Sequence, residues 1–78
     1  MEEGDELHRK LGGLIRGFRV RKGFSQQRFA RYAGIDRSYY AKIERGEAEV
    51  SLTILRSITK GLGLKLSELF LVLEKHLE

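Results

Sequence analysis

Two short helical segments meet at Ala33-Gly34-Ile35, and this junction constrains the fold more than any other part of the chain. Ser25 is a good N-cap for the first segment, and Gly34 suits the left-handed backbone that follows a helix end. Asp36 can cap the second segment, which follows at once. Helices joined by so short a turn cross at a steep angle, so residues 25–45 are predicted to form a helix-turn-helix.

The remaining sequence predicts three further helices. The first runs from about residue 7 to 21, the fourth is capped by Ser51 and ends in Gly61-Leu62-Gly63, and the fifth spans about 66 to 77. No stretch has the alternating pattern of a strand, so the chain is predicted to be all-α with five helices. The residues expected to face its core are Leu7, Leu11, Leu14, Ile15, Phe18, Phe29, Ala30, Ala33, Ile35, Tyr40, Ile43, Leu55, Ile58, Leu62, Leu66, Leu69 and Phe70.

Length and composition limit the kind of protein. A chain of 78 residues supports one small core, so we expect a single domain over 1–78 with an ordered core over about 7–76. Without cysteine it has no disulfide and no thiolate metal site. The acidic N-terminus and the short apolar runs predict neither a signal peptide nor a membrane span. Leu77-Glu78 is either native or a remnant of an expression vector, and no function is assigned to it.

The charge distribution points to a polyanionic partner. The net charge is +4, and the acidic residues crowd the first six positions and the C-terminal third. The middle of the chain is therefore strongly basic, which is typical of nucleic-acid binding, although a solvated basic surface would have the same composition. The basic residues of this region are Arg16, Arg19, Arg21, Lys22, Arg28, Arg31, Arg37, Lys42 and Arg45.

Four short motifs fall in one register from Leu11 to Phe70. They are Gly-x-Ser-Gln at 23–26, Ala-Gly-Ile at 33–35, Ile-Glu-Arg-Gly at 43–46 and Leu-Ser-Glu-Leu-Phe at 66–70. Together they resemble the lambda-repressor-like or Cro-like helix-turn-helix regulators, the XRE group. The resemblance implies a compact five-helix DNA-binding domain and a sequence-specific transcriptional regulator acting in the cytoplasm on the bacterial nucleoid.

A finer resemblance depends on the segments beside these motifs. Asp-Arg-Ser-Tyr at 36–39, Glu-Val-Ser-Leu at 49–52 and the short chain are similar to controller proteins of restriction-modification systems. Many regulators of the wider group have proline where Val50 stands. A prophage-type repressor and the antitoxin of a toxin-antitoxin pair remain alternatives, which the neighbouring gene would distinguish.

An enzyme is not expected. His8 and His76 lie near opposite ends of the chain, and no Ser-His-acid arrangement, paired carboxylates or phosphate-binding loop is present. The sequence therefore predicts no catalytic residue, no metal, no cofactor and no small-molecule effector.

The third helix carries the residues expected to read DNA bases. Arg37, Ser38, Ala41 and Lys42 point away from its apolar face. An arginine near the helix start can donate two hydrogen bonds to guanine in the major groove, and the methyl group of Ala41 can contact thymine. The alternative for Arg37 is a solvated residue of the first turn.

Other residues are expected to contact the DNA backbone. Gln26 lies where helix amides favour an anion, and the family places this glutamine on a phosphate. The further candidates are Gln27, Arg28, Tyr39 and Arg45. The alternative for Gln27 and Arg28 is an ordinary polar helix face, and for Tyr39 it is partial packing against the second helix. The resemblance also implies that Glu44 pairs with Arg19, which would turn the carboxylate away from DNA. The alternative for Glu44 is a solvated side chain.

A homodimer on a palindromic operator is expected, because one helix-turn-helix reads only a few base pairs. Helix 5 has more apolar residues than one side can bury once Leu66, Leu69 and Phe70 cover the core. The predicted interface comprises Val50, Leu52, Leu71, Val72, Leu73 and Leu77. The alternative is that these residues complete the core of the monomer.

Overall fold

The structure is a computed structural model that describes residues 3–78, which contain five α-helices and no β-strand. The helices are α1 (Glu3–Arg21), α2 (Gln26–Ala33), α3 (Arg37–Arg45), α4 (Leu52–Leu62) and α5 (Leu66–Leu77). The all-α, five-helix prediction is confirmed, and α1 begins about one turn earlier than expected. Met1 and Glu2 of the predicted 1–78 domain lie outside the described residues.

The predicted helix ends are present. Ser25, Asp36 and Ser51 each accept a hydrogen bond from the backbone amide three residues later, at 3.0 to 3.1 Å. Gly34 ends α2 in the left-handed conformation with φ of 73°, and its amide donates back into the last turn of that helix. Gly34, which ends α2, and Asp36, which caps α3, therefore set the corner between the two helices.

One hydrophobic core lies between the helices. α1 packs on α3, α4 and α5, and α2 packs on α3 and α4. The buried apolar residues are Leu11, Ile15, Phe29, Ala30, Ile35, Tyr40, Ile43, Leu55, Ile58, Leu62, Leu69 and Leu73. Leu7, predicted to face the core, is 39% exposed.

Two expectations for α5 are wrong. Leu73, predicted for the dimer interface, is 8% exposed and belongs to the core, whereas Phe70, predicted for the core, is 38% exposed. Leu69 and Leu73 are four residues apart and so share one helix face, while Phe70 is rotated by about 100° from Leu69. The face of α5 that packs on the core is the one that carries Leu69 and Leu73.

A close backbone contact positions α1 against α3. A Cβ atom on Gly12 would lie 2.6 Å from the carbonyl oxygen of Glu44, nearer than real Cβ atoms come. Only glycine therefore allows α1 to approach the last turns of α3 this closely. This approach brings the C-terminal half of α1, including Arg19, to the carboxylate of Glu44.

Candidate nucleic-acid interface

The outward face of α3 carries basic and hydroxyl groups. Arg37, Ser38 and Lys42 are exposed and Ala41 is half-buried, while Tyr40 and Ile43 on the opposite face are 0% and 1% exposed. Among the side chains of residues 5–78, no acidic group forms an ion pair with Arg37 or Lys42. The structure therefore places the four predicted base-reading residues on one side of α3, with both cationic groups accessible.

The one acid within α3 is withdrawn from this face. Glu44 is 8% exposed and forms a bidentate pair with Arg19: Nε lies 2.6 Å from Oε2, and Nη2 lies 3.1 Å from Oε1. Arg19 Nη1 also donates to the carbonyl oxygen of Phe24 at 2.7 Å, which ties the α1–α2 loop to the pair. The structure thus contains the ion pair implied by the resemblance.

Two further side chains donate to the same carboxylate. Gln26 Nε2 lies 3.0 Å from Glu44 Oε1, and the buried hydroxyl of Tyr40 donates to Oε2. These two hydrogen bonds were not anticipated from the sequence. The four-residue spacing of Tyr40 and Glu44 on α3 could have indicated the hydrogen bond from Tyr40, because such residues lie one turn apart.

The network favours the charged forms of Glu44 and Arg19 and the neutral form of Tyr40. Burial alone would raise the pKa of Glu44, but hydrogen bonds from Arg19, Tyr40 and Gln26 outweigh it and hold this pKa below its ordinary value. The hydrogen bond to Glu44 raises the pKa of Arg19 despite the opposing cost of burial. Burial, followed by the hydrogen bond to Glu44 and its charge, raises the pKa of Tyr40 far above its ordinary value. The carboxylate is therefore ionised and the phenol neutral at physiological pH.

The residues predicted to contact the DNA backbone differ in their exposure and in the contacts they make within the protein. Gln27 and Arg28 are exposed, and the Arg28 guanidinium lies 5.7 Å from the ring centre of Phe24. Tyr39 is half-buried, and its hydroxyl donates to the carbonyl oxygen of Glu49 at 2.6 Å, so it braces the loop after α3. Arg45 Nε lies 3.1 Å from Glu47 Oε1 in an exposed ion pair, which water and phosphate can readily compete with.

A shallow cleft between α1, α2 and α3 brings several of these groups together. It is lined by Arg16, Arg19, Gln26, Glu44 and Arg45. Arg16 is exposed and was not among the predicted site residues. Its spacing from Arg19, three residues along α1, was the available signal, because such residues share a helix face.

The residues predicted for the dimer interface differ in exposure. Leu52, Leu71 and Leu77 are 66%, 64% and 42% exposed, and Val72 is half-buried. Val50 is also half-buried and packs against the core. Leu73 is excluded from this surface because it lies within the core.

Within the part of the chain that the structure describes, no helix has the length and apolar character needed to cross a bilayer. The same residues hold no cluster of three or more His, Asp or Glu side chains suited to a metal ion.

The structure combines an all-α core, a turn at Gly34 between α2 and α3, and an exposed basic face on α3. These features define the helix-turn-helix class. Comparison with known families agrees with this assignment. The match covers residues 15–69, more than half of the chain, and the chain therefore belongs to the helix-turn-helix family.

Within this family the chain is similar to restriction-modification controller proteins. It is 40% identical over 73 residues to "Control protein C.MunI" of Mycoplasma sp, a match covering 92% of this chain and 99% of that protein. The structure of controller protein C.AhdI from Aeromonas hydrophila matches with a TM-score of 0.81 and 34% identity, over 87% of this chain and 99% of that one. The C.Esp1396I controller tetramer in complex with its natural 35 base-pair operator matches with a TM-score of 0.80 and 32% identity, over 88% of this chain and 91% of that one. The resemblance found in the sequence is confirmed.

Proposed function

We propose that this protein is a sequence-specific double-stranded DNA-binding regulator that acts as a restriction-modification controller. The observation that carries the proposal is the outward face of α3, where Arg37 and Lys42 are exposed and unpaired among the described residues while Glu44 is buried. Its action is occupancy of promoter DNA in the bacterial cytoplasm, with no catalytic step, cofactor or small-molecule effector.

Base readout in this proposal begins at the N-terminal turn of α3. Arg37 donates two hydrogen bonds to the O6 and N7 atoms of a guanine, a contact that discriminates by about 1–3 kcal/mol per base pair. Ser38 lies beside it, and Lys42, one turn further along, reaches a second base or the backbone. Ala41 leaves room for a thymine methyl group. The rigid anchoring of α3 supports this assignment, because a fixed helix holds these side chains in one register.

Phosphate contacts come from the groups around the cleft. Gln26 lies in the first turn of α2, whose backbone amides and dipole favour an anion. Arg16 and Arg45 line the same cleft, and Gln27 and Arg28 are exposed nearby on α2. Tyr39 contributes by holding the loop after α3, with its hydroxyl on Glu49. These contacts set the register of α3 on the duplex without reading sequence.

The active species is a homodimer on a palindromic operator. Two recognition helices related by a two-fold axis and about 34 Å apart would read two half-sites. The operator complex of C.Esp1396I supports this arrangement by similarity. On this chain the proposed interface consists of the exposed Leu52, Leu71 and Leu77 with the half-buried Val50 and Val72.

Binding to the DNA upstream of the protein's own gene tests the proposal. Fluorescence anisotropy with this DNA and with a duplex of equal composition and scrambled order should give affinities that differ at least about a thousandfold. The affinity should also fall linearly with salt on a logarithmic scale, with a slope near −0.9 for each phosphate contact. Equal affinity for both duplexes would contradict a sequence-specific regulator. A flat salt dependence would favour a protein-binding role such as that of an antitoxin.

A further inference from the structure

The carboxylate of Glu44 has no free acceptor site left. Oε2 accepts from Arg19 Nε and from the Tyr40 hydroxyl, and Oε1 accepts from Arg19 Nη2 and from Gln26 Nε2. Each carboxylate oxygen has two lone pairs, so four donors saturate the group. Movement of any one donor therefore changes the geometry available to the others.

This arrangement fixes the orientation of the Gln26 amide. An ionised carboxylate only accepts hydrogen bonds, so the amide nitrogen of Gln26 must face Glu44 and its carbonyl oxygen must face away. The second hydrogen on Nε2 is then the only side-chain donor that Gln26 can offer to a phosphate. An amide held in this way before DNA arrives loses less rotamer entropy on binding than a free glutamine does.

Tyr40 supplies the donor that comes from α3 itself. Its side chain is fully buried, its ring lies 5.4 Å from that of Phe29, and its hydroxyl donates to Glu44 Oε2. Phenylalanine could keep the ring packing, but it would leave Oε2 with one donor. The carboxylate could then rotate toward Arg19 Nε, and this would weaken the hydrogen bond that Gln26 Nε2 donates to Oε1.

We propose that Tyr40 is a positioning residue for DNA binding: its hydroxyl orients the Glu44 carboxylate, and the carboxylate orients the Gln26 amide for a phosphate. The inference rests on the proposed function, since it requires Gln26 to contact DNA. Because Tyr40 is buried, we expect no direct contact between it and DNA. Its effect should therefore pass through Gln26 and be the same for every DNA sequence.

The first test uses the protein without DNA. In nuclear magnetic resonance spectra, Tyr40→Phe should shift the side-chain amide resonances of Gln26 and speed their exchange with water. The matched control is Tyr32→Phe, because Tyr32 is 66% exposed, stacks on Phe24 and donates to no member of the network. This control should leave the Gln26 resonances in place. Unchanged Gln26 resonances in Tyr40→Phe would overturn the proposal.

The second test is a double-mutant cycle on DNA affinity. Tyr40→Phe should weaken binding about fivefold in the wild-type background and less than about twofold when Gln26 is already alanine. A merely structural role would give the same loss in both backgrounds, and that result would overturn the proposal. Thermal unfolding shows whether each variant is folded, and the four affinities are compared at a temperature well below the lowest unfolding midpoint of the set.

The two proposals fail in different ways. If Gln26→Ala binds DNA as tightly as the wild type does, the inference falls while sequence-specific binding still stands. If the wild-type protein binds operator and scrambled DNA equally, the proposed function falls. The Gln26 resonances would then still show whether Tyr40 orients the network.

Discussion

Arg19 and Glu44 form a bidentate ion pair across the α1–α3 contact, with their side chains only 9% and 2% exposed. The pair joins the end of the first helix to the last turn of the helix proposed to read DNA. Gly12 permits the close approach, and the loop carbonyl of Phe24 occupies a further donor of Arg19. The orientation of α3 is thus fixed from the side opposite its exposed basic face.

Removal of one partner should cost far more than removal of an exposed pair. Arg19→Met leaves a buried carboxylate without its cation, and we expect a loss of about 3–5 kcal/mol in the free energy of unfolding. The matched control is Arg45→Met, which breaks the exposed pair with Glu47 and should cost less than about 1 kcal/mol. Urea denaturation measures both, and equal losses would contradict the structural importance of the buried pair.

Acid should destabilise the protein through Glu44. The pKa of Glu44 is lowered in the folded state from its ordinary value of 4.5, so below about that pH the unfolded chain binds a proton that the folded chain does not bind. The stabilising contribution is present above this value and is lost as the pH falls through the folded pKa. Denaturation at a series of pH values should show a flatter acid limb in Glu44→Gln, and identical limbs would exclude Glu44 as the titrating group.

Alkali should act through Tyr40 in the opposite sense. Burial raises the pKa of this phenol above its ordinary value of 10.0, so its contribution to stability is complete below that pH and is lost progressively as the pH rises above it. In the unfolded chain the phenol ionises first, and this draws the equilibrium toward unfolding. Tyr40→Phe should lose less stability than the wild type between neutral pH and strong alkali, while Tyr32→Phe should follow the wild type.

Base-reading and phosphate-contacting residues should be separable by their effect on sequence preference. Arg37→Ala should cost about 1–3 kcal/mol on the preferred site and relax the preference at one base pair per half-site. Gln26→Ala should instead weaken binding to every sequence by a similar factor. Selection of binding sites from random DNA measures both, and an unchanged preference in Arg37→Ala would remove this residue from base readout.

Features that depend on local sequence were predicted better than features that depend on long-range contacts. Caps such as Ser25 and Asp36 act within one turn of chain, so their positions could be predicted from residue type and spacing. The exchange of roles between Phe70 and Leu73 depends on how α5 is rotated about its axis against the core. Hydrophobic periodicity defines this rotation only loosely when a helix has apolar residues on several faces.

The charge network was predictable only in part. The Arg19–Glu44 pair followed from family resemblance, but the approach through Gly12 and the donors Tyr40 and Gln26 depend on a helix crossing and on side-chain rotamers. Tyr40 was interpreted from the sequence as core alone. Its ring does lie in the core, and only its hydroxyl reaches the carboxylate.

The proposed dimer surface gives the last prediction. Leu52 and Leu71 are 66% and 64% exposed, and burying two such side chains against a partner would stabilise association by several kcal/mol in total at about 1.5–3 kcal/mol each. Changing both to serine should shift the protein from dimer to monomer in sedimentation equilibrium at concentrations on the order of 50 μM. The matched control is Val20→Ser, because Val20 is an exposed apolar residue of α1 outside the proposed interface, and it should remain dimeric. A wild-type chain that sediments as a monomer without DNA would contradict the interface. A double variant that stays dimeric would place the two-fold contact on another face.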